Sequence, residues 1–232
     1  MFRLIVWGVL LLTTQSFSYT IAVYEQNPIA DKECAKAIFD VLSLKHKCEF
    51  LNHQTLTTKN LKKFDCLVFP GGIGDVDNFD YYLKDKQKIV QQFFNSNKIY
   101  IGICMGAYFA DSHYFGIVQD IKIEQYISRK RSEIKTETPT TIKCLWQNKM
   151  HIMYFFDGPV FLGKIKQQEK IALYQNNEVA AIVKKINPGI FIGIGPHPES
   201  TNDWYDTKKL KPYWHHGEQH QLILDLLDKV DQ

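Results

Sequence analysis

Gly102-Ile103-Cys104-Met105-Gly106 sets a thiol between glycines two positions to either side, the G-x-C-x-G form of a nucleophile elbow. A residue at a sharp strand-to-helix turn is forced into strained backbone angles, and its neighbours at minus two and plus two must be small for strand and helix to approach. The sulfur would then project at the carboxyl edge of a parallel sheet, where such sheets place ligand crevices. A helix amino terminus behind it would favour thiolate.

A thiol nucleophile needs a base, and the base needs an orienting group. Of the eight histidines, His46, His53 and His113 lie in polar or helix-edge contexts and His151 in a strand. His197 differs, because the apolar run "IFIGIG" ends in Pro196-His197-Pro198-Glu199. A strand ending in His-x-Glu can present both side chains at the same sheet edge as the elbow, Glu199 holding the imidazole in the tautomer that faces Cys104. The two prolines lower the entropy cost of that geometry. Developing negative charge needs donors, and the amides of Met105 and of Gly72, in the Gly71-Gly72 turn, are the candidates. "GGIGD" matches neither glycine-rich phosphate-binding pattern, so no cofactor is assigned. Asp157, in "FFDGP", is a candidate for selecting a substrate amine beside Gly71, with a turn aspartate as its ordinary role. In "YWHHGEQH", His216 and His220 stand four apart near His215 and Glu218; such histidines are ordinarily solvated, and no metal is assigned.

Positioning these groups requires an ordered alternation of elements. "TIAVYEQ" is β-rich, and "IADKECAKAIFDVLSL" spaces Ile29, Cys34, Ala37, Ile38, Val41 and Leu42 along one helical face. "KCEFLN" reads as a second strand. "FDCLVFPGG" reads as a third, apolar throughout as a strand covered on both faces would be. "YLKDKQKIVQQFFNS" carries a helical stripe of Leu83, Ile89, Val90, Phe93 and Phe94, and "KIYIGI" runs into the elbow. This alternation predicts an α/β fold with an open, mostly parallel sheet, right-handed crossovers and helices on both faces. Residues 128–140, "SRKRSEIKTETPT", read as a solvated loop, since acidic residues interleave the basic ones. The runs "TIKCLW", "MHIMYFF", "KIALYQ", "VAAIVKKI" and "IFIGIG", separated by turn signals, predict antiparallel hairpins in the C-terminal half feeding a last strand. "EQHQLILDLLDKV" aligns Leu222, Ile223, Leu226, Leu227 and Val230 on a closing helix.

The chain has 232 residues, 45% hydrophobic and 23% charged, with a formal charge of +3. That suffices for one sizeable core, and one domain over residues 19–232 is expected. The small, dispersed basic excess predicts no nucleic-acid partner. Residues 1–18 carry Arg3, the apolar run Leu4 to Leu12, a polar stretch and Ser16-Phe17-Ser18, which reads as a secretory signal peptide and predicts export. The apolar run falls short of the ~20 residues of a membrane-spanning helix, so no stable membrane anchor is expected after cleavage. The five cysteines are Cys34, Cys48, Cys66, Cys104 and Cys144, an odd number that leaves at least one thiol unpaired in an oxidising compartment. Cys34 and Cys48 bridging a helix to the next strand is one reading, and five small buried residues the other.

With Cys104, His197-x-Glu199 and "FPGG" together, the chain resembles the class I glutamine amidotransferase superfamily. Within it the likeness is to the N-terminal domain of eukaryotic biotin-protein ligases and its stand-alone relatives, through "IAVYEQ", "FPGGIGDVDNF", "GICMGAYFA", "YFFDGPVF" and "VAAIVKKINPGIFIGIGPHPE" in order. The related intracellular-protease branch, which follows its cysteine with histidine, is the lesser match. The resemblance implies a flavodoxin-like sheet, Cys104 as nucleophile, His197 as base and Glu199 as orienter. Met105 departs from the small residue many relatives carry there, and no residues remain for a biotin-ligase catalytic domain. An exported protein has no obvious cytosolic synthase to feed with ammonia, so the resemblance supports amide chemistry, on a small-molecule amide or related compound, better than it supports glutamine as the substrate, and it names no protein partner. The competing expectation is a binding or regulatory module that keeps the fold and crevice without turnover.

Overall fold

The computed structural model describes residues 18–230. The predicted signal peptide lies, but for Ser18, outside the described residues. The first half runs β1 (Thr20–Tyr24), α1 (Lys32–Ser43), β2 (Lys47–Leu51), α2 (Thr58–Leu61), β3 (Cys66–Phe69), α3 (Phe79–Tyr82), α4 (Gln87–Phe94), β4 (Ile99–Ile103) and α5 (Met105–Tyr108). The second half runs β5 (Ile121–Gln125), β6 (Thr140–Trp146), β7 (Lys149–Phe155), β8 (Pro159–Gly163), β9 (Lys170–Tyr174), β10 (Val179–Ile186), β11 (Gly189–Ile194) and α6 (His220–Val230).

The main path of the sheet is β2-β1-β3-β4-β11-β10-β9-β6-β7. Its first five strands are mutually parallel, and β11 fills the fifth place of the flavodoxin-like 2-1-3-4-5 arrangement. Beyond β11 every pairing is antiparallel. Alternate residues of the parallel strands feed two separate cores, as a two-residue side-chain period requires. Ile21, Val23, Val68, Ile101 and Ile192 pack with Ile38 and Leu42 of α1 and Ile223 and Leu227 of α6. Ala22, Tyr24, Leu67, Phe69, Tyr100 and Phe191 pack with Val90 and Phe93 of α4 and with Phe109 and Phe115. Burial on both faces explains the unbroken apolar runs of β3 and β4.

Several expectations need correction. The helix expected from Tyr82 to Ser96 is broken at Leu83 (φ −131°), with a tight turn over Lys84–Lys86 before α4. β5 and β8 pair with each other along their length, and neither was expected as a strand. The segment 128–140 is largely exposed, yet Arg129 anchors it through Glu124 at 2.8 Å and Glu178 at 2.7 Å. All five thiols are free, so Cys34 and Cys48 form no bridge. Helix α6 starts at His220, which leaves His216 in the preceding turn at φ 52° rather than on a shared helical face.

Candidate active site

Cys104 adopts φ 49° and ψ −112°, a conformation that strains any residue with a side chain. Its amide donates to Ile194 O at the end of β11 (2.8 Å), and that bond joins the corner to the neighbouring strand. Both flanking glycines are sterically required. A Cβ on Gly106 would fall 1.8 Å from Phe69 O, and one on Gly102 would fall 2.5 Å from Gly106 O. Tyr100 reaches up from β4 and donates to Gly106 O at 2.7 Å, locking the turn that follows. That turn, α5, is a single one, so the helix dipole expected to favour thiolate is much smaller than a long helix would supply.

β11 lies parallel to β4 with Ile194 beside Ile103, so the segment leaving β11 emerges at the same sheet edge as the elbow. His197 N donates to Tyr154 O at 2.9 Å, which ties this segment to the end of β7. The His197 imidazole is 3% exposed and its Nδ1 lies 2.8 Å from Oε1 of the fully buried Glu199. With Nδ1–H held there, Nε2 is left for the sulfur, and Cys104 and His197 line the same cavity. Burial opposes charge on the imidazole, but Glu199 and Cys104 outweigh it and the His197 pKa is raised. Cys104, His197 and Glu199, almost a hundred positions apart along the chain, therefore meet at one rim. Behind them Ser200 Oγ contacts Tyr205 Oη (3.0 Å) and His215 Nε2 (3.3 Å), which buttresses the loop. Burial, and secondarily His220, lowers the His215 pKa to about 4, so this support is uncharged at neutral pH.

Two cavities open on Cys104. One, of about 430 Å³, is lined by Gly72, Met105, Tyr108, Gln125, Glu137 and Asp157 among others. The other, of about 370 Å³, holds His197 with Gly71, Cys34, Tyr154 and Trp204 in its walls. Neither the Gly72 nor the Met105 amide has an acceptor among the described residues, whereas the Ile73 amide is taken by Pro28 O at 2.7 Å. Two free donors thus flank the sulfur. Met105 is 5% exposed and packs over Gly72, forming wall rather than plug. Asp157 lines the first cavity at φ 51°, its Oδ2 accepting from Gln125 Nε2 at 2.8 Å and its buried Oδ1 unpartnered. Burial pushes its pKa up to about 6 against the Gln125 bond.

Sequence reasoning missed Cys34, whose sulfur would stand 3.2 Å from a Cβ on Gly71, and the ring pair Tyr154–Trp204 (centroids 5.1 Å), set edge-on to the imidazole. None carries a local signature, because only tertiary packing brings α1, β7 and the 202–205 turn to the rim. Among the described residues no group of three or more His, Cys, Asp or Glu side chains could hold a metal ion.

Residues 32–215 match the family model described as glutamine amidotransferase class-I, a span that contains Cys104, His197 and Glu199. The chain belongs to this family. Its fold is that of solved class-I glutamine amidotransferases. PurLQS from Thermotoga maritima superposes at TM-score 0.61 with 14% identity, over 91% of this chain and 100% of that one. A glutamine amidotransferase from the same organism gives 0.60 and 13%, over 92% and 98%. A GMP synthase-like protein from Thermoplasma acidophilum gives 0.55 and 16%, over 92% and 99%. A comparison with curated proteins finds no match.

Proposed function

We propose that this class-I glutamine amidotransferase family member is an exported, cysteine-dependent amidohydrolase of the biotin-protein ligase N-terminal kind, acting through Cys104, His197 and Glu199. The observation that carries the reading is the buried His197 imidazole, held through Nδ1 by the Glu199 carboxylate at 2.8 Å, in the wall of the same cavity as Cys104. In this mechanism His197 takes the thiol proton as Cys104 attacks the amide carbon. The oxyanion rests on the Gly72 and Met105 amides, and the imidazolium returns the proton to the departing nitrogen. Water, deprotonated by His197, then cleaves the thioester and frees the acid. Glu199 keeps Nδ1 protonated and stabilises the imidazolium throughout.

A non-catalytic ligand-binding module is the second reading. The observation on its side is Cys104 Sγ lying 3.4 Å from Phe156 O, a contact that favours thiol over thiolate. Intact-mass analysis after exposure to an electrophilic glutamine analogue decides between them. The enzyme reading expects one adduct, on Cys104, that is lost in His197→Ala. Absence of any Cys104 adduct, with no acid released from a panel of amides, favours the module.

A further inference from the structure

Cys104 shares a cavity with a second thiol. Cys34, in the first turn of α1, lines the same space of about 370 Å³ as Cys104 and His197, and Cys48, Cys66 and Cys144 do not. What stands between Cys34 and the ring is a glycine. A Cβ on Gly71 would fall 3.2 Å from Cys34 Sγ and 2.9 Å from His197 Cε1, so the missing side chain leaves that sulfur facing the imidazole. Cε1 is bonded to Nε2, the nitrogen that Glu199 leaves free, and the base assigned to Cys104 therefore lies close to Cys34 as well.

The two thiols are not equally reactive. Burial, and after it the charges of Glu199 and Cys104, push the Cys34 thiol up. Cys34 therefore stays protonated and slow towards oxidants, whereas Cys104, opening on two cavities beside a base, meets them first. The proposed hydrolysis has no step for Cys34.

Resting on the proposed cysteine chemistry, we propose that Cys34 is a resolving cysteine: after a hydroperoxide oxidises Cys104, Cys34 closes a reversible disulfide with it and switches the site off. The Cys104 thiolate attacks a peroxide oxygen, the S–O bond forms as the O–O bond breaks, and the His197 imidazolium protonates the departing alkoxide or hydroxide. Cys104 is oxidised by two electrons to a sulfenic acid, and the peroxide is reduced to an alcohol or water. Oxidation makes Cys104 neutral and so removes one of the charges that hold the Cys34 proton. His197, now neutral, takes that proton as the Cys34 sulfur attacks the Cys104 sulfur. The S–S bond forms, the S–O bond breaks, and the hydroxide leaves with the proton as water. A dithiol returns both cysteines by exchange and is itself oxidised. Without Cys34 the sulfenic acid goes on to sulfinic acid, which thiols do not reduce.

The test treats the native protein with hydrogen peroxide, blocks the remaining thiols with iodoacetamide and locates linked peptides by mass without reduction. A Cys34–Cys104 peptide pair is expected, with iodoacetamide labelling of Cys104 lost after peroxide and returned by dithiothreitol. In Cys34→Ala and in Cys34→Ser the same peroxide dose should leave Cys104 as sulfinic acid, and dithiothreitol should return none of its labelling. Four results overturn the inference: no linked pair, a Cys104 unchanged by peroxide, its capture by Cys48, Cys66, Cys144 or a second molecule, and equal recovery in the native protein and both variants. These readouts need no amide turnover. Loss of the glutamine-analogue adduct refutes the hydrolase reading even where the disulfide forms, and a missing disulfide leaves that adduct in place.

Discussion

Replacing Glu199 by glutamine keeps the shape of the rim and removes one charge. The carboxylate lies 2.8 Å from His197 Nδ1 and is fully buried, so solvent screens the interaction weakly. Its second oxygen already lacks a partner, so the glutamine amide leaves no more orphaned polar atoms than the native residue does. An opposite charge at this range moves a pKa by roughly 1–3 units, about 1.4–4 kcal/mol of preference for the imidazolium. Without it the imidazolium–thiolate pair is disfavoured by the same amount. Iodoacetamide alkylation of Cys104 at pH 7 should therefore slow by roughly 10- to 1,000-fold. The sign also holds for stability. A histidine whose folded pKa is raised contributes stability that is complete below its unfolded value of ~6.5 and is lost as pH rises through the folded one. The native protein should thus melt above Glu199→Gln at pH 6, with the gap closing at alkaline pH. Overlapping alkylation profiles for the two proteins would refute the claim that the carboxylate acts through the imidazole.

The two glycine contacts predict different failures. Gly106→Ala sets a Cβ 1.8 Å from a backbone oxygen that cannot move, so a loss above ~4 kcal/mol in urea unfolding, or no folded protein, is expected; a loss below ~1 kcal/mol would mean that the elbow packs otherwise. Gly71→Ala meets only side chains, His197 Cε1 at 2.9 Å and Cys34 Sγ at 3.2 Å, so about 1–3 kcal/mol is expected, together with slower Cys104 alkylation as the ring is displaced. Adding Cys34→Ala should recover stability and leave the alkylation defect. Asp157→Asn tests a raised acid: the unfolded chain releases this proton first, so the native protein loses stability between pH ~3.8 and about 6. Because the group is partly solvated, the variant should gain only about 1 kcal/mol above pH 6 over its effect at pH 3, where both forms are neutral. A pH-independent difference in melting temperature would instead assign the whole effect to asparagine's tolerance of positive φ.

How much could be read from the sequence depended on whether a feature was local. The elbow is local, since Gly102 and Gly106 are required by contacts within one strand-turn unit and the strand beside it. The buried parallel strands announced themselves because both faces are covered, and α1 and α6 because one face is. β5 was hidden because Ile121-Lys122-Ile123 alternates for too few residues to stand out. β8 was hidden because it starts at a proline and ends at a glycine, which read as punctuation. Cys34 looked like half of a disulfide. Its helical spacing gave no sign that the face carrying it lies against Gly71 and His197.

The order of the strands divides the labour of the site. β4 and β11 are parallel neighbours, so whatever follows either strand emerges at the same edge, and Cys104 and His197 both do. Between them the chain leaves the parallel sheet for the antiparallel strands β5 to β10, and this excursion supplies Gln125, Glu137, Tyr154, Phe156 and Asp157 to the cavity walls. Cys104 and His197 are thus fixed by strand register, which tolerates little change without losing the sheet. The walls stand on strand ends and loops, which tolerate substitution and insertion. Exchanging the 128–140 segment, which carries Glu137 in the wall of the first cavity, should therefore alter which electrophilic amides label Cys104 without abolishing its alkylation by iodoacetamide. Loss of alkylation in a folded exchange variant would show that the segment holds the imidazole as well as the substrate.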